Sequence, residues 1–502
     1  MKISVPARFL CMSALCAVLV PWTARAEAER SRFNAGGYFR VMTRPDLQGG
    51  NGQLGYWNLY GRLLNETSYA ELNLQLDALR SMPGKTEPWA SVYARIQGGT
   101  FAHPDPFGGN PSGLRLGQLY VRAGNVLLDN VTWQIGTIET YFNDLGLYDF
   151  RPASIMDQML GVSARYELER FELLVGAGDS GLALRGNEYS TVLTAGASAR
   201  VRIIPGRLEL GIGGHALYEP EVKGNRYAPY YTPGIDYDDF VRERIAEDFL
   251  TENPGRENFF TRPEATDNLS WKAVGYLGFG GFGPIRWNNF FINVLRRHPD
   301  TYIVENYQGR DYQIFVSELT DDRYEVNVGN EMQFTIIPGR LDAAWGVVYG
   351  RHTNLDNAIK AGEDNREIYS TVLRTQYYVT PTVHFLLENA VAREVSLNGN
   401  LFREHVDSMF QSAGGLPDAR GLEFGDSNQR ITWQMKTGIV LNPTGLGIYM
   451  RPSLRFLYGL QYSSQQAAWG NGFVDDLDQY NVFAGDERHW HHVVAVEAEG
   501  WF

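Results

Sequence analysis

Residues 68–78 read SYAELNLQLDA, and polar and apolar positions change places at every step. Tyr69, Glu71, Asn73, Gln75 and Asp77 fall on one face of an extended chain; Ala70, Leu72, Leu74, Leu76 and Ala78 fall on the other. A period of two belongs to a half-buried strand, not to a helix. The same alternation recurs along the chain and predicts 18 strands, with 16 as the alternative count; the first lies near 33–44, the seventeenth near 446–463 and the last near 488–502.

One alternating strand does not separate a soluble sandwich from a membrane barrel, but the connections do. Pro205-Gly206, Pro338-Gly339, Thr380-Pro381 and the NPTG stretch at 442–445 are tight, whereas 219–268, 298–323, 353–366, 395–428 and 464–487 are long. Short and long links taking turns is the habit of an all-β, transmembrane, antiparallel up-and-down barrel, with short periplasmic turns and long extracellular loops. An even strand count puts both ends on the short-turn side. IIPGRLEL (203–210) recurs as IIPGRLDA (336–343), with Pro setting φ and Gly relieving the bend of two equivalent turns. On the last strand Val494, Val496, Ala498, Gly500 and Phe502 share the lipid-facing parity, and Ala495, Glu497, Glu499 and Trp501 the lumen parity. This strand must pair with the first, because an open edge in lipid leaves backbone groups unsatisfied.

Composition agrees with a wall that is apolar on one side only. Hydrophobic residues make up 44% of the chain, yet it holds 54 Gly, 28 Tyr and 26 Phe. After residue 26 no apolar run is long enough for a spanning helix. Lys2 and Arg8, the run FLCMSALCAVLV and Ala24-Arg25-Ala26 predict a signal peptide over 1–26, in preference to a retained anchor. Residues 27–502 then form a single barrel domain. Leu15 before Cys16 argues against a lipoprotein, and both cysteines, Cys11 and Cys16, leave with the leader. The mature chain therefore has no disulfide, thiolate nucleophile or cysteine metal site. A net charge of −13 argues against nucleic acid as a partner.

The lumen parity supplies the candidate chemistry. It gathers Tyr38 and Arg40 from the first strand, Tyr69 and Glu71 from the second with Arg62 upstream, and Tyr449, Arg451, Ser453 and Arg455 from the seventeenth. Trp501 joins them from the last strand. Aromatic faces beside ionic groups suit sugars, whose C–H faces stack and whose hydroxyls take charge-assisted bonds. The competing reading is that these rings pack the wall or form an interfacial girdle. His489 and His491 share a face, but polar rim residues explain them better than a metal does. GFGGFG (278–283) has no following helix and reads as a turn, and the acid pairs Asp321-Asp322 and Asp475-Asp476 read as solvated loop charge.

Four stretches carry a resemblance: GYFR (37–40), GRLLNETSYAEL (61–72), MRPSLRFLYGLQY (450–462) and the ending EGWF. Together they resemble the maltoporin (LamB-type) family of trimeric, sugar-specific outer-membrane porins, at both ends of the mature chain and not over 180–425. The resemblance implies that Tyr38, Tyr69 and Trp501 belong to an aromatic slide for glucosyl rings, with Tyr449 where the family often has Trp. It implies that Arg40, Arg62 and Glu71 belong to a flanking polar track. It also implies an inward-folded third loop over TYFNDLGLYDFRPAS (140–154), where Asp149 and Phe150 match the family and Arg151 replaces a tyrosine. A guanidinium there would favour an acidic or sulfated saccharide. The second loop (100–115) would offer Phe101 or Phe107 to a neighbouring subunit, and Arg115 to the polar track.

The expected function is passive, weakly binding diffusion of oligosaccharides across the outer membrane of a Gram-negative cell, through a homotrimer in contact with lipid and lipopolysaccharide. No cofactor is implied and no bond is made or broken. A general, weakly cation-preferring porin is the alternative. A rim hydrolase lacks a nucleophile context, and an adhesive or structural barrel would leave so wide a lumen without a purpose.

Overall fold

The computed structural model describes residues 32–45, 54, 58–66, 68–80, 87–99, 115–181, 191–220, 267–297, 302–307, 310–315, 323–354, 366–396, 429–464 and 489–502. The expected signal peptide, Phe101, Phe107 and both loop acid pairs lie outside them, as does the side chain of Arg115.

Alternation becomes a sheet because each strand finds its neighbour across a short turn or a long loop. In chain order the strands are β1 (Phe33–Thr43), β2 (Tyr69–Leu79), β3 (Trp89–Gly99), β4 (Arg115–Gly124), β5 (Val131–Tyr141), β6 (Ser154–Glu167) and β7 (Phe171–Asp179). There follow β8 (Leu193–Ile204), β9 (Leu208–Glu219), β10 (Asn268–Phe282), β11 (Ile285–Arg297), β12 (Tyr302–Tyr307) and β13 (Arg310–Phe315). The rest are β14 (Arg323–Ile337), β15 (Leu341–Asn354), β16 (Arg366–Tyr378), β17 (Val383–Ser396), β18 (Gln429–Leu441), β19 (Ser453–Ser463) and β20 (Trp490–Trp501). Eighteen of them form one antiparallel sheet, and β1 pairs with both β2 and β20, so the sheet closes into a barrel. Closure leaves no edge, the condition for a sheet in lipid. β12 and β13 pair only with each other, so the long connection expected at 298–323 holds a hairpin of its own.

The wall is inside-out relative to a soluble protein. Along β18, Arg430, Thr432, Gln434 and Lys436 are buried while Ile431 and Ile439 are exposed. Val121, Ile135, Val162, Val175 and Ile212 continue the outward apolar belt on other strands. Apolar out and polar in is the arrangement a lipid surround favours.

The repeated IIPGR stretches build matching turns. Arg207 N donates to Ile204 O and Arg340 N to Ile337 O, both at 2.9 Å. Gly206 and Gly339 take φ of +73° and +70°, the left-handed position of a Pro-Gly type II turn. At the seam, Gly37 N donates to Phe502 O at 2.9 Å and Phe502 N returns a bond to Gly37 O at 3.1 Å. A methyl on Gly37 would lie 2.5 Å from the Phe502 ring, so only glycine lets the terminal aromatic lie down there.

The seventeenth strand of the barrel is shorter than its alternation suggests. The β18–β19 ladder ends at Leu441↔Leu454, and 442–452 form a turn. Gly445 and Gly447 have φ of +107° and +144°, and Pro452 has no N–H to give a ladder. IYMRP (448–452) thus has strand periodicity without a strand partner, and Tyr449 reaches the lumen from a turn.

Candidate functional site

The third loop (142–153) folds inward, as expected, and so do the described residues of the first loop, 54 and 58–66, which the sequence does not announce. Leu54, Leu63 and Leu64 pack against Leu386, Val440, Leu457, Val493 and Ala495, a small apolar cluster inside the barrel. Around it sit polar anchors. Lys436 Nζ donates to Tyr60 O at 2.7 Å and to Glu388 Oε1 at 2.9 Å, and Asn65 Nδ2 donates to Gln434 Oε1 at 3.0 Å. Tyr60 donates its hydroxyl to Glu394 at 2.7 Å. The first loop therefore lines the β16–β20 side of the lumen and covers charges that would otherwise face water.

The third loop is fixed to the facing wall. Leu147 N donates to Glu331 Oε2 at 2.8 Å and Asn293 Nδ2 to Pro152 O at 2.5 Å. Leu145, Leu147, Tyr148 and Ala153 are buried against Tyr276, Phe291, Ala344 and Val348. The last turn props the loop from the other end: Tyr449 donates to Glu331 Oε1 at 2.6 Å, and its ring touches Gly146.

The two loops also hold each other. Arg62 N donates to Leu147 O at 2.8 Å, and the carboxyls of Glu66 and Asp149 share a hydrogen bond. Burial pushes Glu66 up to about 8, against the pull of Arg62 and Arg40. Burial pushes Asp149 up as well, but Arg62 and the bond from Glu66 outweigh it and leave it lowered. Glu66 is therefore the proton carrier of the pair at neutral pH. Its folded value lies above that of a free glutamate. Its contribution to the contact is thus complete below about pH 4 and is lost as pH rises through about 8. Infrared spectra of the intact protein are expected to show a protonated-carboxyl band that titrates away near that pH and is absent from Glu66→Gln. A band that persists in Glu66→Gln would remove the assignment.

Between the loops and the β1–β6 wall lies a cavity of about 1390 Å³. Closed ligand pockets run to about 300–1,000 Å³, so this one has room for a chain of rings. Of the residues expected from the sequence, Tyr38, Arg40, Arg62, Tyr69, Glu71, Asp149, Arg151, Tyr449 and Trp501 all line it. Phe150 does not: it is bridged to Leu145 and is 38% exposed elsewhere.

Three aromatics run consecutively across the seam. Tyr38 and Trp501 face each other on paired strands with ring centroids 4.6 Å apart, and Tyr69 follows Tyr38 at 6.0 Å. Trp501 is 57% exposed and lines the cavity. The Arg451 guanidinium lies 5.4 Å from the Trp501 ring and 5.7 Å from that of Tyr38. Beneath the run the charges are paired. Glu499 takes ion pairs from Arg62, Arg451 (2.5 Å) and Arg455 (2.6 Å), and a hydrogen bond from Tyr38 (2.5 Å). Arg40 pairs with Glu66.

The sequence reading missed Arg95, Glu139 and Trp287. Glu139 accepts from Arg95 at 2.8 Å, from Arg151 at 2.7 Å and from Gln118. The Arg151 guanidinium also lies 4.5 Å from the Tyr141 ring centroid. Trp287 stands 6.2 Å from the Tyr449 ring. Lumen parity on β3, β5 and β11 pointed at these residues, but inward parity alone does not separate the cavity from the plugged half of the lumen. The ring nitrogens of His489 and His491 lie at backbone oxygens, those of Ser463 (2.8 Å) and Leu54 (3.1 Å).

No known protein family matches the sequence, and neither does any curated protein. Among solved structures the chain is similar to the outer-membrane channel DcaP of Acinetobacter baumannii, at 11% identity and a TM-score of 0.43 over 94% of this chain and 97% of that one. It is similar to OccK1 (OpdK) of Pseudomonas aeruginosa at 9% identity and 0.39, over 94% and 98%. It is also similar to the trimer form of OmpT, an outer-membrane protein of Vibrio cholerae, at 9% and 0.36, over 94% and 99%. Values this low concern barrel architecture alone.

Proposed function

We propose that the chain is an outer-membrane channel for passive diffusion of oligosaccharides. The observation that carries this is the Trp501–Tyr38–Tyr69 run, with centroid spacings of 4.6 and 6.0 Å, which lines the cavity with Trp501 exposed and Tyr38 buried between its neighbours, and which is backed by ion-paired guanidinium groups. Successive rings present stacking faces to successive sugar rings, while Glu71 and the arginines meet hydroxyls. Binding of this kind is shallow and repeated, as conduction requires. The resemblance of the chain ends to maltoporins supports the same reading, and with it a homotrimer, a removed signal peptide and contact with lipopolysaccharide.

In planar bilayers a neutral maltodextrin is expected to interrupt the single-channel current in a concentration-dependent way. An ohmic current that no saccharide interrupts would overturn the saccharide reading. That result would favour a general, cation-preferring pore, the second reading. One observation supports the second reading: Glu71 and Glu331 take hydrogen bonds from Tyr69, Asn73, Tyr449 and Leu147 N, and among the described residues no cation lies at ion-pair distance from either.

A further inference from the structure

We infer that Glu139 sets the charge specificity of the lumen, keeping acidic saccharides out of a site whose arginines would otherwise receive them. The inference rests on the saccharide-channel reading and names the solute class within it.

Arg151 is where the sequence suggests an acidic solute. The structure gives that guanidinium a carboxylate already. Arg151 comes from the third loop and Arg95 from β3, and both converge on Glu139 of β5, one on each oxygen, at 2.7 and 2.8 Å. Gln118 of β4 donates to the same oxygen as Arg95. The two guanidinium groups are therefore spaced for a single carboxylate between them, and the protein supplies it. A tethered carboxylate is present at an effective concentration no free solute reaches. Arg151 still has its side chain 40% exposed, whereas that of Arg95 is 17% exposed and lies deeper. The clamp is thus occupied yet accessible.

The other cavity arginines are paired too. Arg40 is held by Glu66, and Arg62 and Arg451 by Glu499. Glu66 and Glu499 are nine-tenths or more buried, behind the aromatic run, and the protonated Glu66 holds Arg40 as a hydrogen-bond acceptor. Glu139 differs: it lines the cavity itself, with its side chain 18% exposed, and it joins two cations from separate elements that both reach the cavity. Glu71 and Glu331, by contrast, are acceptors held by neutral donors. An array of satisfied cations and available acceptors suits neutral, hydroxyl-rich solutes and opposes a carboxylate.

Removing the Glu139 charge takes away the carboxylate that the two guanidinium groups share and leaves a geometry fitted to one, with Asp144 and Asp149 still near Arg151. The test compares a neutral maltodextrin with an oligogalacturonide of equal length. Binding is measured by calorimetry on detergent-solubilised protein, and the reversal potential in a KCl gradient across bilayers. Glu139→Gln is expected to raise the ratio of acidic to neutral affinity by about tenfold or more, the effect of one charge-assisted contact, and to shift the reversal potential toward anions. Arg151→Met is expected to shift it toward cations, so opposite signs from two variants carry the test even where one folds poorly. Wild-type protein that binds the uronide as well as the neutral sugar, or reversal potentials that do not move in opposite directions, would overturn the role of Glu139. Failure of the saccharide-channel reading itself looks different: a wild-type barrel that conducts but binds neither sugar and whose current no saccharide interrupts, while the reversal potentials still report on Glu139.

Discussion

Trp501→Ala is expected to weaken current block by a neutral oligosaccharide about tenfold, as loss of roughly 1.5 kcal/mol from one stacking platform implies. Trp501 is the most exposed ring of the run, and its removal leaves a gap beside Tyr38 that a sugar ring must cross without a face to rest on. Phe502, whose ring packs over Gly37, stays in place, so the seam keeps its backbone bonds. Residence times from current fluctuations would show the effect as faster release with unchanged arrival. Block as strong as in the wild type would mean that Trp501 is a wall residue and not part of the solute path.

The second large effect concerns the plugged half of the lumen. Glu388 lies fully buried between Arg374 at 2.6 Å and Lys436 at 2.9 Å. Taking away the carboxylate strands two buried cations, so Glu388→Ala is expected to cost roughly 3–5 kcal/mol. Lys436 also holds Tyr60 O and Gly61 O, so the loss should loosen the first loop before it reaches the wall. Urea unfolding in lipid vesicles measures the first effect, and added open-channel noise the second. Ile439→Ala on the outward face provides the comparison, because it removes no buried partner. A Glu388→Ala barrel as stable and as quiet as the wild type would show that the first loop is not held by this ion-pair group.

Strand number, order and facing were legible because a barrel wall repeats one local rule. The pleat alternates, and each short turn announces itself with Pro, Gly or Asn, as Pro205-Gly206 and Pro338-Gly339 do. The rule fails where chain inside the barrel imitates it. Residues 446–452 alternate like a strand but have no ladder partner, and Tyr449 is set by positive-φ glycines instead. The first loop was illegible for a related reason. Leu54, Leu63 and Leu64 read as loop residues until the apolar patch of Leu386, Val440 and Leu457 that they cover is seen to face inward. Chain-end residues of the site were found because they lie on regular strands close to each other at the seam. Glu139 escaped because its meaning depends on two arginines, one 44 residues before it and the other on a loop.

The aromatic run is divided between the two ends of the chain: Tyr38 on β1, Tyr69 on β2 and Trp501 on β20. Tyr38 and Tyr69 meet on neighbouring strands, but more than 400 residues separate them from Trp501. A barrel whose β1–β20 seam has not closed therefore lacks the Trp501 rung, and the three-ring run is complete only in the shut cylinder.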